Sequence, residues 1–277
     1  MSQLAIHGGK KAVPDGCIKG WPPITDVDRQ YVMASLEQWN HAYGPNCAAF
    51  EKEFAAWNGN QFAITTNSGT AALHMGVAAC GCGAGDEVIV TAYSWSSSAT
   101  CILHANAIPV FVDIDFDTMN MDVSKIEAAI TPRTKAIVAV HLHGLALDMD
   151  RLMAIARKHN LKVIEDACQA HGAVFNGKKV GTFGDCAAFS FNQNKCLCSG
   201  EGGMFVTNDE EILDASYVAA LPAIPRVPLP TRAAVESAIE LVALTKPAAR
   251  GVDPDRFFDA RFVKELEDSG YIQSLYR

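Results

Sequence analysis

The chain has no apolar stretch long enough to cross a bilayer: its longest hydrophobic runs are broken by His, Asp or Gly, short of the ~20 residues that a membrane helix needs. Its first residues, MSQLAIHGGKKAVPDG, lack the apolar core of a secretory signal, so a cytoplasmic location and no membrane partner are expected. A cluster of Lys and Arg is also missing. With 23 basic against 31 acidic residues and a formal net charge of −8, the chain lacks the electrostatic footprint of a phosphate-backbone binder. That excludes nucleic acid and leaves small metabolites as the expected partners. Charged residues are scarce overall, at 19%, while hydrophobic residues make up 49% of the 277, enough for one large core or two modest ones. Cysteine is plentiful, at nine, but the number is odd and the residues are scattered, so reduced thiols are expected rather than a disulfide framework. The pairs Cys80/Cys82 and Cys196/Cys198 have one intervening residue, not the two of a zinc knuckle, and no metal is expected.

What is present is an alternation of short apolar runs with amphipathic stretches. Residues 25 to 57 show helical spacing broken by Gly44 and Pro45, which predicts two helices around a turn. From Gln61 onward the order is FAITT, a helix from Thr70 to Ala79, EVIVT, a helix through Ala99 to Ala105, and PVFVDI. It continues with a helix near Val123 to Ala129, AIVAV, a helix from Met149 to His159, KVIED, and short strands at CAAFSF and GGMFVT. Parallel neighbours need crossover helices, so this pattern predicts an α/β fold with a mostly parallel sheet flanked by helices, plus a short helical tail. The expected organisation is a large domain over 1–216 with its N-terminal helical segment. A linker carrying the four prolines of LPAIPRVPLPTR follows over 217–232, and then a helical tail over 233–277.

Open α/β sheets bind ligands beyond the carboxyl ends of their strands. After FAITT, Asn67-Ser68-Gly69-Thr70 opens a helix and offers free amides and a hydroxyl to an anion; ordinary helix capping by the same residues is the competing reading. After KVIE, Asp166 puts a carboxylate at the end of a buried strand, where a charge needs a partner or serves as a turn cap. The segment FSFNQNKCLCSGEGG, residues 189–203, sets Ser190 and Lys195 between two short strands, with Gly200, Gly202 and Gly203 allowing close backbone approach to a ligand. Lys195 stands in an otherwise uncharged stretch, as a lysine that must react as a neutral amine would, although a solvated surface lysine has the same local spacing.

Taken together, NSGTAALHMG, the Asp-Ala-Cys-Gln order at 166–169, and SF-x-x-x-K-x-L-x-x-GEGG resemble the sugar aminotransferases of the DegT/DnrJ/EryC1/StrS family over about Leu4 to Ser216. The resemblance implies the fold type I, aspartate-aminotransferase-like large domain of pyridoxal-phosphate enzymes. It also implies pyridoxal 5′-phosphate as cofactor, carried on Lys195 as a Schiff base. Asp166 then pairs with the pyridine nitrogen, Gln169 lies near the phenolic oxygen, and Gly69, Thr70 and Ser190 bind the phosphate. Trp95, in TAYSWSSSAT, matches the ring-stacking position, with a core tryptophan as the alternative. His141 and His143 match an H-x-x-G segment that lines the site, or are hydrogen-bonded strand-end histidines.

The implied reaction moves an amino group from glutamate or glutamine to a nucleotide-linked keto-sugar or a cyclitol in a homodimer. Family members continue into a C-terminal domain whose asparagine reaches the neighbouring subunit's cofactor phosphate, and nothing after Ser216 resembles it. The tail is instead similar, over a short stretch, to the C-terminal helices of nitrate- or sulfonate-type binding proteins. Two functions therefore stay open: an aminotransferase, and a truncated or chimeric cofactor-binding fragment that acts without turnover as an interaction or regulatory subunit.

Overall fold

The computed structural model describes residues 3–17, 20–38, 44–220, 232–257 and 259–274. The chain divides into two compact units, Met1–Ala219 and Ala220–Arg277. Most of the expected proline-rich linker, residues 221–231, lies outside the described residues.

The first unit opens with α1 (Asp26–Leu36) and α2 (Pro45–Asn58). Thr25 and Asp28 form a reciprocal capping box at the start of α1, and Pro45 takes the first position of α2, where its missing N–H costs nothing. The α/β alternation then runs β1 (Phe62–Thr66), α3 (Gly69–Ala79), β2 (Glu87–Thr91), α4 (Ser97–His104) and β3 (Ile108–Val112). It goes on with α5 (Ile126–Ala129), β4 (Thr134–Val140), α6 (Met149–His159) and β5 (Lys162–Asp166). A two-stranded hairpin of β6 (Val174–Phe175) and β7 (Lys178–Lys179) precedes β8 (Cys186–Ser190), β9 (Gly203–Thr207) and α7 (Glu210–Ala220).

Seven strands form one sheet in the order β1-β9-β8-β5-β4-β2-β3. The pairs β2–β3, β2–β4, β4–β5 and β5–β8 are parallel, and β9 alone runs against both its neighbours. The central strands read as unbroken apolar runs because both faces are covered. Val88 and Val90 of β2 and Ala136 and Val138 of β4 pack with Leu73 and Val77 of α3 and Ile102 of α4. The intervening Ile89, Ile137 and Ala139 pack with Met149, Leu152 and Ala156 of α6. Phe54 of α2 covers Ala187, Phe189, Met204 and Val206 of β8 and β9.

The helix expected near Val123–Ala129 is a 3-10 turn, Val123–Lys125, followed by the single turn α5. Asp122 caps the amide of Ser124, and Thr131 precedes a proline, so there is no room for more than about one turn. The second unit holds α8 (Arg232–Ala243), α9 (Arg261–Asp268) and α10 (Tyr271–Ser274), joined through 3-10 turns at Pro247–Ala249 and Pro254–Arg256. Arg232 reaches Glu236, Asp253 and Asp255, tying the start of α8 to the second of these turns. Among the described residues, no helix is long and apolar enough to cross a membrane.

Candidate active site

The parallel strands end on one side of the sheet, and the polar residues that follow them converge there. α3 begins as β1 ends. The Ser68 hydroxyl accepts the Ala71 amide at 3.2 Å, while the Thr66 hydroxyl donates to the Ser68 carbonyl at 2.9 Å. Capping is thus real, but it satisfies Ala71; the amides of Gly69 and Thr70 have no acceptor among the described residues and stay free for an anion. Close packing holds this helix start in place. A Cβ on Gly69 would sit 2.7 Å from the Ser190 Cβ and 2.8 Å from the Cys168 sulfur. One on Gly203 would lie 2.4 Å from the Ser68 carbonyl and 2.6 Å from the Gly69 nitrogen. Gly203 therefore admits the backbone of Ser68–Gly69, not a ligand as its sequence suggested. Gly200 and Gly202, at φ +89° and +152°, make the turn that leads into β9.

Asp166 ends β5 and is buried. Its Oδ2 accepts the Ser98 hydroxyl at 2.6 Å and its Oδ1 accepts the Cys168 amide at 3.1 Å. The Ser98 hydroxyl is itself 2.7 Å from that of Ser94. Ser98 lies in the first turn of α4, so that helix positions the carboxylate from above. Gln169 Oε1 accepts the His143 amide at 3.1 Å.

Lys195 lies on the loop between β8 and β9. Its amide donates to the Asn192 carbonyl at 2.9 Å and its own carbonyl accepts the Trp21 indole at 3.2 Å, so the backbone is tethered on both sides, and among the described residues the amine makes no salt bridge. The Thr70 hydroxyl lies 2.7 Å from that of Ser97. The seven residues that the family resemblance assigns to the cofactor, Gly69, Thr70, Trp95, Asp166, Gln169, Ser190 and Lys195, line one cavity of about 400 Å³. Trp95 is 70% exposed, an aromatic face left open among the described residues. Asn192, Asn194 and Glu201 add a polar wall beside Lys195, and the Asn192 side-chain Nδ2 donates to Glu201 Oε1 at 2.7 Å.

The histidines are placed otherwise. His141 is fully buried outside the cavity: its Nδ1 accepts the Leu147 amide at 3.1 Å, so its Nε2 carries the proton facing Glu165 at 3.0 Å. His143 is exposed and contributes its amide to Gln169. Glu165 is a hub that sequence reading missed. Its carboxylate also accepts the amides of Gly181, Phe183 and Gly184, each at 2.7 Å. Burial pushes its pKa up, but the hydrogen bonds from His141 and from the Gly184 and Gly181 amides outweigh that and hold it below the usual value. Ser98 was missed as well, although the Ser-rich run beside Trp95 sits after a strand, where polar residues meet ligands.

A helix start with free amides, a braced carboxylate and a lysine surround one hollow at the carboxyl edge of a mostly parallel sheet in an α/β protein, an arrangement whose chemistry suits a small anionic ligand. The chain belongs to the DegT/DnrJ/EryC1/StrS aminotransferase family, whose sequence profile matches residues 22–227, starting later and reaching further than the span read from the motifs. It is 48% identical over 192 residues to the GDP-perosamine synthase of Caulobacter vibrioides, covering 69% of this chain and 52% of that protein. It is 49% identical over 219 residues to the L-glutamine:2-deoxy-scyllo-inosose aminotransferase of Streptomyces kanamyceticus, covering 74% and 51%. NtdA from Bacillus subtilis, solved with bound cofactor PMP, superposes with a TM-score of 0.64 at 36% identity, covering 70% of this chain and 45% of that one. The fold, a mostly parallel seven-stranded sheet flanked by helices, is that of the aminotransferase from Psychrobacter cryohalolentis, which superposes with a TM-score of 0.70 at 41% identity, covering 76% of this chain and 56% of that one. The chain spans about half the length of the curated relatives it matches.

Proposed function

We propose that this chain binds pyridoxal 5′-phosphate at Lys195 and acts as an aminotransferase, passing an amino group from glutamate or glutamine to a keto-sugar or cyclitol. The observation that supports this most is the meeting of Lys195, Asp166, Gln169, Trp95 and the free amides of Gly69 and Thr70 around one cavity of about 400 Å³. These residues fit the group. Two unpaired amides at a helix N-terminus, with the hydroxyls of Thr70 and Ser190, suit a phosphate; a carboxylate braced by Ser98 suits a protonated pyridine nitrogen; the open face of Trp95 suits a flat ring. When bound, the cofactor supplies an electron sink for the pair left at the donor's α-carbon.

The chain's own residues do the rest. Asp166 holds the proton on the ring nitrogen, and Ser98 and the Cys168 amide keep its two oxygens in place. Lys195 would hold the cofactor through its Nζ and would serve as the base that moves the proton at the donor's α-carbon. The tethered Lys195 backbone lets the side chain swing while its root stays fixed. Relatives named for a GDP-sugar and for glutamine with a cyclitol support the substrate classes. A homodimer in the cytoplasm completes the proposal.

A titration of the purified chain with pyridoxal 5′-phosphate, followed by visible absorbance, tests the reading. A new band that glutamate or glutamine bleaches supports an aminotransferase. A band that no donor changes supports a second reading, cofactor binding without turnover, which draws on the chain's covering about half the length of its relatives. Absence of any band refutes both.

A further inference from the structure

The loop that carries Lys195 runs out from β8 and returns into β9, and backbone hydrogen bonds knit its two limbs together. The Phe191 amide donates to the Gly202 carbonyl, the Gln193 amide to the Gly200 carbonyl and the Ser199 amide to the Phe191 carbonyl, each at 2.9 Å. One half-buried residue, Asn192, sits where these contacts cross. Its amide donates to Ser190 Oγ at 3.4 Å, and its carbonyl accepts the Lys195 amide at 2.9 Å. Its side chain uses both ends. Oδ1 accepts the Asn194 amide at 3.1 Å on the outgoing limb, and Nδ2 donates to Glu201 Oε1 at 2.7 Å on the returning one. Glu201 is held in turn by its carbonyl, which accepts the Ser199 hydroxyl at 2.8 Å. Ser190, Asn192, Asn194, Lys195 and Glu201 all line the cavity.

We propose that the side chains of Asn192 and Glu201 form a latch that positions Lys195, fastening the outgoing limb of its loop to the limb that enters β9. The latch rests on the reading of Lys195 as the lysine that takes the cofactor. An amide donating to a carboxylate is a charge-assisted bond, stronger than the neutral contacts around it, and this one joins the two limbs through side chains. Asn192 also binds the backbone of Lys195 directly, so a shift of Asn192 moves the root of the reacting amine. Small shifts matter there, since misplacing a reacting group by about 1 Å costs up to about 100-fold in rate. Asn192 and Glu201 are therefore positioning residues that act through Lys195.

The full chain is mixed with pyridoxal 5′-phosphate and quenched with borohydride at timed intervals, and the reduced adduct on Lys195 is measured by peptide mass spectrometry. Asn192→Asp keeps the oxygen that accepts the Asn194 amide and sets a second carboxylate against Glu201 in place of the donor. It should slow adduct formation by about tenfold. Combined with Glu201→Gln it restores a donor and an acceptor with the polarity reversed, so measured against Glu201→Gln alone the same substitution should cost less than about threefold. Pyridoxamine 5′-phosphate has the ring and the phosphate but no aldehyde, so it reads the site without the lysine's reaction. Its affinity, by calorimetry, should change less than about twofold in Asn192→Asp. Adduct formation at the parent rate in Asn192→Asp, an equal loss on both backgrounds, or a matching fall in pyridoxamine 5′-phosphate affinity would overturn the latch while leaving Lys195 as the cofactor's lysine. No adduct on Lys195 in the parent would instead overturn the reading of the site, and the latch with it.

Discussion

Replacing Glu165 by Gln changes one oxygen into an NH2 group and leaves the volume alone. In the parent, one carboxylate oxygen accepts from Phe183 and Gly184, the other from Gly181 and His141. Whichever way the amide turns, two N–H donors meet another donor in a site with no access to water. The remaining two lose a charged acceptor. Hydrogen bonds to charged groups contribute about 1.5–3 kcal/mol each, and breaking a buried ionic arrangement costs about 3–5 kcal/mol, so a loss on the order of 3–5 kcal/mol is expected. Urea unfolding followed by circular dichroism reads it directly, as a midpoint lowered by about 1 M or more at an unchanged slope.

The pH dependence has a definite sign. Glu165 titrates below its ordinary value of 4.5 in the folded chain, so its contribution is complete above that value and drains away as the pH falls through the lower folded one. Parent and variant should therefore converge on acidification. A loss under about 1 kcal/mol at neutral pH, or a gap that widens in acid, would refute the reading of Glu165 as a buried carboxylate satisfied by four N–H groups.

Further outcomes concern the cavity. Gly203→Ala drives a methyl into the Ser68–Gly69 peptide, so it should weaken pyridoxal-phosphate binding by about tenfold or more and destabilise the fold by about 1–3 kcal/mol, read by cofactor titration and urea unfolding. Asp166→Asn should retain the cofactor but slow the donor half-reaction by about 100-fold, measured by stopped-flow absorbance; near-parent rates would contradict the carboxylate's role. Ser98→Ala removes one brace on that carboxylate, and about a tenfold slowing of the same step is expected, roughly 1.4 kcal/mol.

Much of this arrangement was legible in the residues because the chemistry sits where chain pattern and ligand geometry coincide. The amphipathic run Met149–His159 is the helix α6, and KVIED is β5 with Asp166 at its end, because period and burial agree in both. The β6–β7 hairpin escaped notice since its strands are two residues long, too short for a period. The signal was nonetheless there in Asn176-Gly177, both at positive φ as a tight hairpin turn requires. The reversed direction of β9 had no local marker, since an apolar run reads the same either way. His141 and Glu165 illustrate the harder limit. They are 24 residues apart on neighbouring strands, and only the register of β4 with β5 brings them together. Ser98 reaches Asp166 across 68 residues, a contact that no spacing in the chain announces.

Borohydride reduction of the protein mixed with pyridoxal 5′-phosphate, followed by peptide mass spectrometry, tests the central claim most directly. The account predicts a reduced cofactor adduct on Lys195, on a peptide that ends the β8 segment, and no adduct at any site in Lys195→Ala, whose urea midpoint should match the parent's. An adduct spread over surface lysines, or one that persists in Lys195→Ala, would contradict it.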